Sequence, residues 1–236
     1  MYKLRAEKSG AVRMRIGIEF SKTGMAKYIS HLDLQRAFSR AIRRSNLPVK
    51  LSQGFNPHYV VSFASALALG VASECECVEM ALSEDVDTKV FLFALSNALP
   101  PGIEAKSAVR LNDKAPKLMA AMREAEYTVA FSDVDIDMIN AAVCDIMGQA
   151  QITATKKSKG RIKEFDMRAM IVSLESRNDA LVMRLVAAPA GSLKPDFVLD
   201  EIKKRAGEFS ASVTRTKLLA HSGGKAVDLL AACSKI

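Results

Sequence analysis

The chain has 236 residues, with 34 Lys and Arg against 26 Asp and Glu, a formal net charge of +8. With 49% hydrophobic and 25% charged residues, it has the composition of one or two folded domains rather than of a disordered segment. No apolar run approaches the roughly 20 residues a bilayer crossing takes, and the start, MYKLRAEKSGAVRMRIGIEF, lacks an apolar leader core. A cytoplasmic protein with no membrane partner is expected.

Residues 1–12 read as an N-terminal tail. Met14, Ile16, Ile18 and Phe20 then alternate with Arg15, Gly17 and Glu19, the period of a strand. Ser30 stands three residues before Asp33, a capping box with Asp in the usual place of Glu. A helix is predicted from about His31 to Asn46, with Leu34, Phe38, Ala41 and Ile42 on one face and Pro48 after its end. VKLSQ reads as a short strand. GFNPH, with its glycine and Asn-Pro, reads as a turn. CVEMALS is a strand, DTKVFLFALSNAL an apolar helix stopped by Pro100-Pro101-Gly102, and IEAKSAVRL another strand. Over residues 13–111 this gives β-α-β-β-α-β, the ferredoxin-like order.

Residues 112–125 form a connector with room for a short helix, and the pattern restarts. EYTVAFS is a strand and DIDMINAAVCDIMGQ a helix. ITATKKSK, FDMRAMIVSLESR and ALVMRLVAA read as strands, KPDFVLDEIKKRAG as a helix with Pro195 in its first turn, and SASVTRTKLLA as the last strand. Residues 126–220 thus repeat the plan with one extra or split strand. The expected fold class is α+β, tandem ferredoxin-like domains with antiparallel sheets. Residues 221–236 are left as a C-terminal tail or short helix.

Specific strings add a resemblance. Phe20-Ser21-Lys22-Thr23-Gly24, Ser30-His31-Leu32-Asp33, Ser52-Gln53-Gly54-Phe55-Asn56-Pro57-His58 and Ser62-Phe63 resemble hallmarks of the radical-SAM-linked family, a bacterial domain of unknown function. The segment TKKSKGRIKEFDMRAMI is similar to that family's lysine-rich stretch followed by Asp-x-Arg, here Asp166 and Arg168. The resemblance spans roughly residues 13–220 and is densest in the first half. Tyr59, Ala66, Ala68 and Ala169 stand where the family usually has proline or proline-rich sequence. The resemblance implies a separate radical SAM protein, encoded nearby, as a partner. It implies no settled reaction.

Two groups of residues carry candidate chemistry. If VKLSQ runs parallel to the first strand, the GFNPH turn leaves the sheet where the first helix begins. His31, Asp33 and His58 then form a candidate catalytic cluster. Two imidazoles and a carboxylate suit a metal such as iron(II) or zinc, or acid–base work on a phosphodiester or base. Each also has a local role available: capping for His31 and Asp33, a loop hydrogen bond for His58. Cys75 and Cys77 are best read as buried thiols, and no cysteine set has cluster or zinc spacing. No metal and no cofactor is assigned.

The second group is basic. Arg36, Arg40 and Arg44 recur every four residues and form a stripe. Lys156, Lys157, Lys159, Arg161 and Lys163 crowd around Gly160, a pattern that suits a hairpin following a phosphate backbone. Phe55 and Tyr59 flank Asn56-Pro57 and can stack on a base. With Asn56, and with Arg168 taken from the resemblance, these are the candidate RNA-binding residues. The function expected is an RNA-binding accessory protein, for tRNA or rRNA, working with a separate radical SAM enzyme in RNA modification or processing. The alternatives are an RNA-processing or RNA-modifying enzyme using His31 and His58, and a protein-binding scaffold for the radical SAM partner.

Overall fold

The computed structural model describes residues 12–158, 161–177 and 179–234. It divides into two compact units: residues up to Met122 together with those from Ala220 onward, and residues Arg123–Leu219.

Unit 1 begins with strand β1 (Met14–Lys22), whose even positions form one face. A 3-10 turn (Gly24–Tyr28) leads to helix α1 (His31–Ser45), capped as the sequence predicts: the Asp33 amide donates to Ser30 Oγ at 3.1 Å. Asn46, at φ 51°, ends α1 in the left-handed region. Strand β2 (Val61–Phe63), strand β3 (Ala72–Leu82), helix α2 (Thr88–Ser96) and strand β4 (Ile103–Arg110) follow. β1 pairs antiparallel with both β3 and β4, and β2 pairs antiparallel with β3, which is the ferredoxin-like order. Ile16, Ile18 and Phe20 of β1, Phe38 and Ile42 of α1, and Phe91 and Leu95 of α2 are fully buried in one core. Each such side chain contributes about 1.5–3 kcal/mol of burial.

The predicted strand VKLSQ is reduced to two isolated bridges, Val49 to Leu82 and Leu51 to Tyr59. The chain pairs briefly with the edge of β3, leaves it, and returns at Val60, whose carbonyl accepts from the Ala81 amide at 3.2 Å. The strand proper lies after the turn, because the apolar Val60, Val61 and Phe63 fit the edge and the Gly-Asn-Pro segment does not.

A short helix α3 (Leu118–Ala121) belongs to the second face of this sheet. So does the helical segment Leu229–Cys233, which falls in the stretch expected above to be a tail or short helix. Gly17 marks how close it comes: a Cβ there would lie 2.8 Å from Leu230 Cδ2 and 2.9 Å from Leu111 Cδ2. Also on this side, Arg15 Nε donates to Glu79 Oε1 at 2.9 Å, Arg15 Nη1 to Ala115 O at 2.7 Å, and the Leu118 amide to Glu79 Oε2 at 3.2 Å.

Unit 2 comprises strand β5 (Met122–Ser132), helix α4 (Ile136–Gly148), strands β6 (Thr153–Ser158), β7 (Arg161–Asp166), β8 (Ile171–Arg177), β9 (Ala180–Ala188) and β10 (Gly191–Ser192), helix α5 (Pro195–Ala206) and strand β11 (Ser210–Ser222). From Ala220 onward β11 belongs to unit 1, where strand β12 (Lys225–Asp228) pairs with it and helix α6 (Leu229–Cys233) follows. Within unit 2 the sheet runs β9–β5–β11, with β8 and β10 both on β9. Alternate residues of β9, among them Leu181, Met183 and Leu185, are buried, as one-sided helix cover demands. β5, α4, β8, β9, α5 and β11 reproduce the ferredoxin-like plan. The extra strand expected from sequence is the hairpin β6–β7, a two-stranded sheet of its own inserted between α4 and β8. No helix among the described residues is long and apolar enough to cross a membrane.

Candidate nucleic-acid interface

The even face of β1 ends on Lys22, so a lysine follows Met14, Ile16, Ile18 and Phe20 into the core and is only 1% exposed. Its ammonium donates to Lys27 O at 3.3 Å and Ile29 O at 3.1 Å, tying the 3-10 turn to the sheet. A buried ammonium needs such acceptors, which accounts for the lysine in Phe20–Gly24. The alternation of the sequence carried this signal, since Lys22 continues the apolar series in register.

At the start of α1, the His31 ring meets Phe63 edge-on at 5.3 Å, and His31 Nε2 lies 3.2 Å from Gln35 Nε2. Asp33 accepts from Ser30 Oγ at 2.7 Å and from Arg36 Nη1 at 3.0 Å. Those two hydrogen bonds hold its carboxyl below the usual range, Ser30 first and Arg36 second. His58 sits elsewhere on the same unit. Ser52 Oγ accepts its amide at 3.1 Å and lies 2.9 Å from its Nδ1, while the Ser52 amide donates to His58 O at 2.7 Å. No hydrogen bond or ring contact among the described residues joins His58 to His31 or Asp33. By register the turn leaves the edge beside Ala81, opposite Arg15 near the start of β1, whereas His31 packs on Phe63, which pairs with Val78.

Ser52 and His58 thus close the loop, and the closure lifts its tip away from the unit. Phe55 is fully exposed and Asn56 is exposed, whereas Tyr59 is half-buried and packs against the core. Gly54, at φ 124°, adopts a backbone that a side chain would strain. Of the two predicted stacking residues, Phe55 has a free ring.

The arginine stripe is also sorted by its neighbours. Arg36 pairs with Asp33 and Arg44 donates to Ala98 O. Arg40 is exposed and has no hydrogen-bond or ion-pair partner among the described residues; the same holds for Arg43, which the four-residue spacing had left off the stripe.

In unit 2, Lys156 faces Lys163 directly across the hairpin, and both are exposed without an acidic partner among the described residues. Like charges opposite each other weaken a ribbon, so the fold itself does not require this pair. Lys157 and Arg161 lie in the strands opposite Ile162 and Ser158, and Lys159 lies outside the described residues. Arg168 is engaged: Nη1 donates to Ile171 O and Nη2 to Met147 O, each at 3.2 Å. Asp166 Oδ1 accepts the amides of Ile152 at 3.2 Å and Arg168 at 3.0 Å. Together they clasp the base of the hairpin to the end of α4. Phe165 is held edge-on against Phe197 of α5 at 5.4 Å.

Cys75, Cys77 and Cys233 are buried and Cys144 is exposed. Burial above all, with the neighbouring Cys75 and Glu76 next, pushes the Cys77 thiol well up, away from a ligating thiolate. No group of three or more His, Cys, Asp or Glu among the described residues is placed to hold a metal ion. The sequence reading missed an exposed apolar strip at the entry to α1. Met25 and Tyr28 share a side of the 3-10 turn and, with Leu32 and Leu69, are each more than half exposed.

The model of DUF2344, described as an uncharacterized protein conserved in bacteria, matches residues 15–195. The chain belongs to this family. No curated protein matches it. Among solved structures, a chain from a crystal structure of a Cbf5-Nop10-Gar1 complex is similar at 13% identity and a TM-score of 0.43, with 88% of this chain covered and 49% of that one. The DUF2344 chain thus spans about half the length of that relative. An unknown protein from Galdieria sulphuraria is similar at 15% identity and a TM-score of 0.28, covering 86% of this chain and 98% of that one.

Proposed function

We propose that this DUF2344 protein is an RNA-binding accessory protein, directed at tRNA or rRNA, that works in the cytoplasm with a separate radical SAM enzyme in RNA modification or processing. The observation that carries the RNA reading is the set of exposed cations with no hydrogen-bond or ion-pair partner among the described residues, Arg40 and Arg43 on α1 and Lys156 and Lys163 on the hairpin. They belong to a chain of net charge +8 and are joined by the fully exposed ring of Phe55. Phosphates pair with the cations and an unpaired base stacks on the ring. The radical SAM partner rests on the resemblance of the Phe20–Gly24, Ser30–Asp33 and Ser52–His58 strings.

Retention of bulk tRNA and rRNA by the purified protein tests the reading. With four phosphates contacted, log affinity falls with log salt at a slope of about −3 to −4. Arg40→Glu with Lys163→Glu flattens that slope, and Phe55→Ala weakens binding without changing it. Failure to retain any RNA at low salt overturns the reading. The scaffold reading is favoured by the apolar strip of Met25, Tyr28, Leu32 and Leu69. It predicts instead a salt-resistant complex with the radical SAM enzyme and no RNA.

A further inference from the structure

We infer that the β6–β7 hairpin contacts a double-helical stem of the RNA rather than its single-stranded parts, an inference that rests on the RNA-binding reading. Lys156 and Lys163 occupy directly opposite positions, so two cations stand side by side on one face of a ribbon two strands wide. The described part of the ribbon offers phosphates nothing else that single strands use. Sequence-tolerant binding of single strands leans on aromatic side chains that stack on successive bases. The one aromatic of the hairpin, Phe165, is half-buried with its ring edge-on against Phe197. The exposed positions are instead Thr153, Thr155, Lys156, Ile162, Lys163 and Glu164, none of which can stack. Recognition by charge alone gains most where phosphates are densest and rigidly spaced, which is along a duplex. Each neutralised phosphate adds about 0.9 to the salt slope on a duplex and about 0.7 on a single strand.

The Asp166–Arg168 clasp serves the same end. It fixes the ribbon's base at both strands, through Met147 and Ile152 ahead of β6 and Ile171 after β7. A ribbon held in this way suits a target of fixed groove geometry.

The test uses the full chain with two RNAs of equal length and charge, a closed stem and an unstructured strand. Binding is read by fluorescence anisotropy across a salt series. The stem is expected to bind at least tenfold more tightly. K156Q/K163Q is expected to remove that preference and to reduce the stem's salt slope by about two, with binding of the single strand little changed. Both lysines are exposed and repel each other across the ribbon, so the thermal transition of the double variant should equal or slightly exceed the parent's, which checks its folding. Equal or tighter binding of the single strand, or an equal loss on both RNAs in the variant, overturns the stem assignment and leaves RNA binding standing. Retention of neither RNA overturns the RNA reading and the stem assignment together.

Discussion

Both units depart from the ferredoxin-like plan at the same point, between the first helix and the strand that follows it in the sheet. In unit 1 the detour is the Ser52–His58 loop, which starts and ends on the edge of β3. In unit 2 it is the β6–β7 hairpin, which starts at the end of α4 and returns to β8. The loop is closed by itself, serine to histidine six residues on, and its closure needs nothing from the rest of the unit. The hairpin is closed from outside, by an arginine spanning Met147 and Ile171. A self-closed loop can present one exposed group at its tip, here Phe55. A clasped ribbon can present a charged face in a fixed direction. The same position in the plan thus yields two kinds of exposed surface.

The largest break in that comparison comes from the aromatic residue that seats each detour. Phe63, where the loop returns, is 4% exposed and meets Phe20, Phe38 and His31 edge-on. Phe63→Ala is expected to cost about 3–5 kcal/mol, as for a fully buried ring. Phe165 is half-buried with one ring partner. Phe165→Ala is expected to cost about 1–2 kcal/mol. Urea midpoints of the two variants check the order; equal losses would mean that the hairpin is as deeply seated as the loop.

A smaller effect separates the clasps. Arg168→Met strips the donors from two backbone carbonyls and is expected to cost about 2–4 kcal/mol, with faster amide exchange in β6 and β7. Ser52→Ala removes hydrogen bonds at an exposed site and is expected to cost about 0.5–1 kcal/mol, with exchange altered only in the loop. If Arg168→Met left exchange in the hairpin unchanged, the clasp would have no part in holding it.

How much of this was legible in the sequence differs between fold and site. Alternation and capping showed the strands and helices, because β9 and α1 each bury one face and β1 sets its apolar residues on the face the helices cover. The edge segment did not show itself. Its pairing with β3 is split around the turn, so VKLSQ meets β3 at Val49 and Lys50 without forming a continuous strand. The arginines of α1 were visible as a stripe, but spacing does not say which of them are taken. Arg36 is neutralised by Asp33 of the capping box, and Arg44 reaches a carbonyl that lies 54 residues away. Arg168 likewise reads as a surface cation in sequence, yet its acceptors come from the end of α4 and the start of β8. Lys156 facing Lys163 needed the hairpin's register, which the dense lysine run alone leaves open.

The smallest effect sharpens the comparison at the entry to unit 1, and it concerns pH. Asp33 is held below its ordinary range by Ser30 and then Arg36. A carboxyl whose folded value lies below its unfolded one, about 3.8, contributes stability that is present above that unfolded value. The contribution is lost as the pH falls through the lower, folded value, when the proton displaces both hydrogen bonds. Asp33→Asn is therefore expected to be less stable than the parent near neutral pH. The gap should narrow as the solution is taken below pH 4, and salt should narrow it too, since the Arg36 pair is exposed. His58 stands outside this linkage, being held by Ser52 in a separate loop, so Asp33→Asn should leave loop exchange untouched. A parallel change in the loop would instead show that the two ends of β2 communicate, and would favour a shared site for His31, Asp33 and His58.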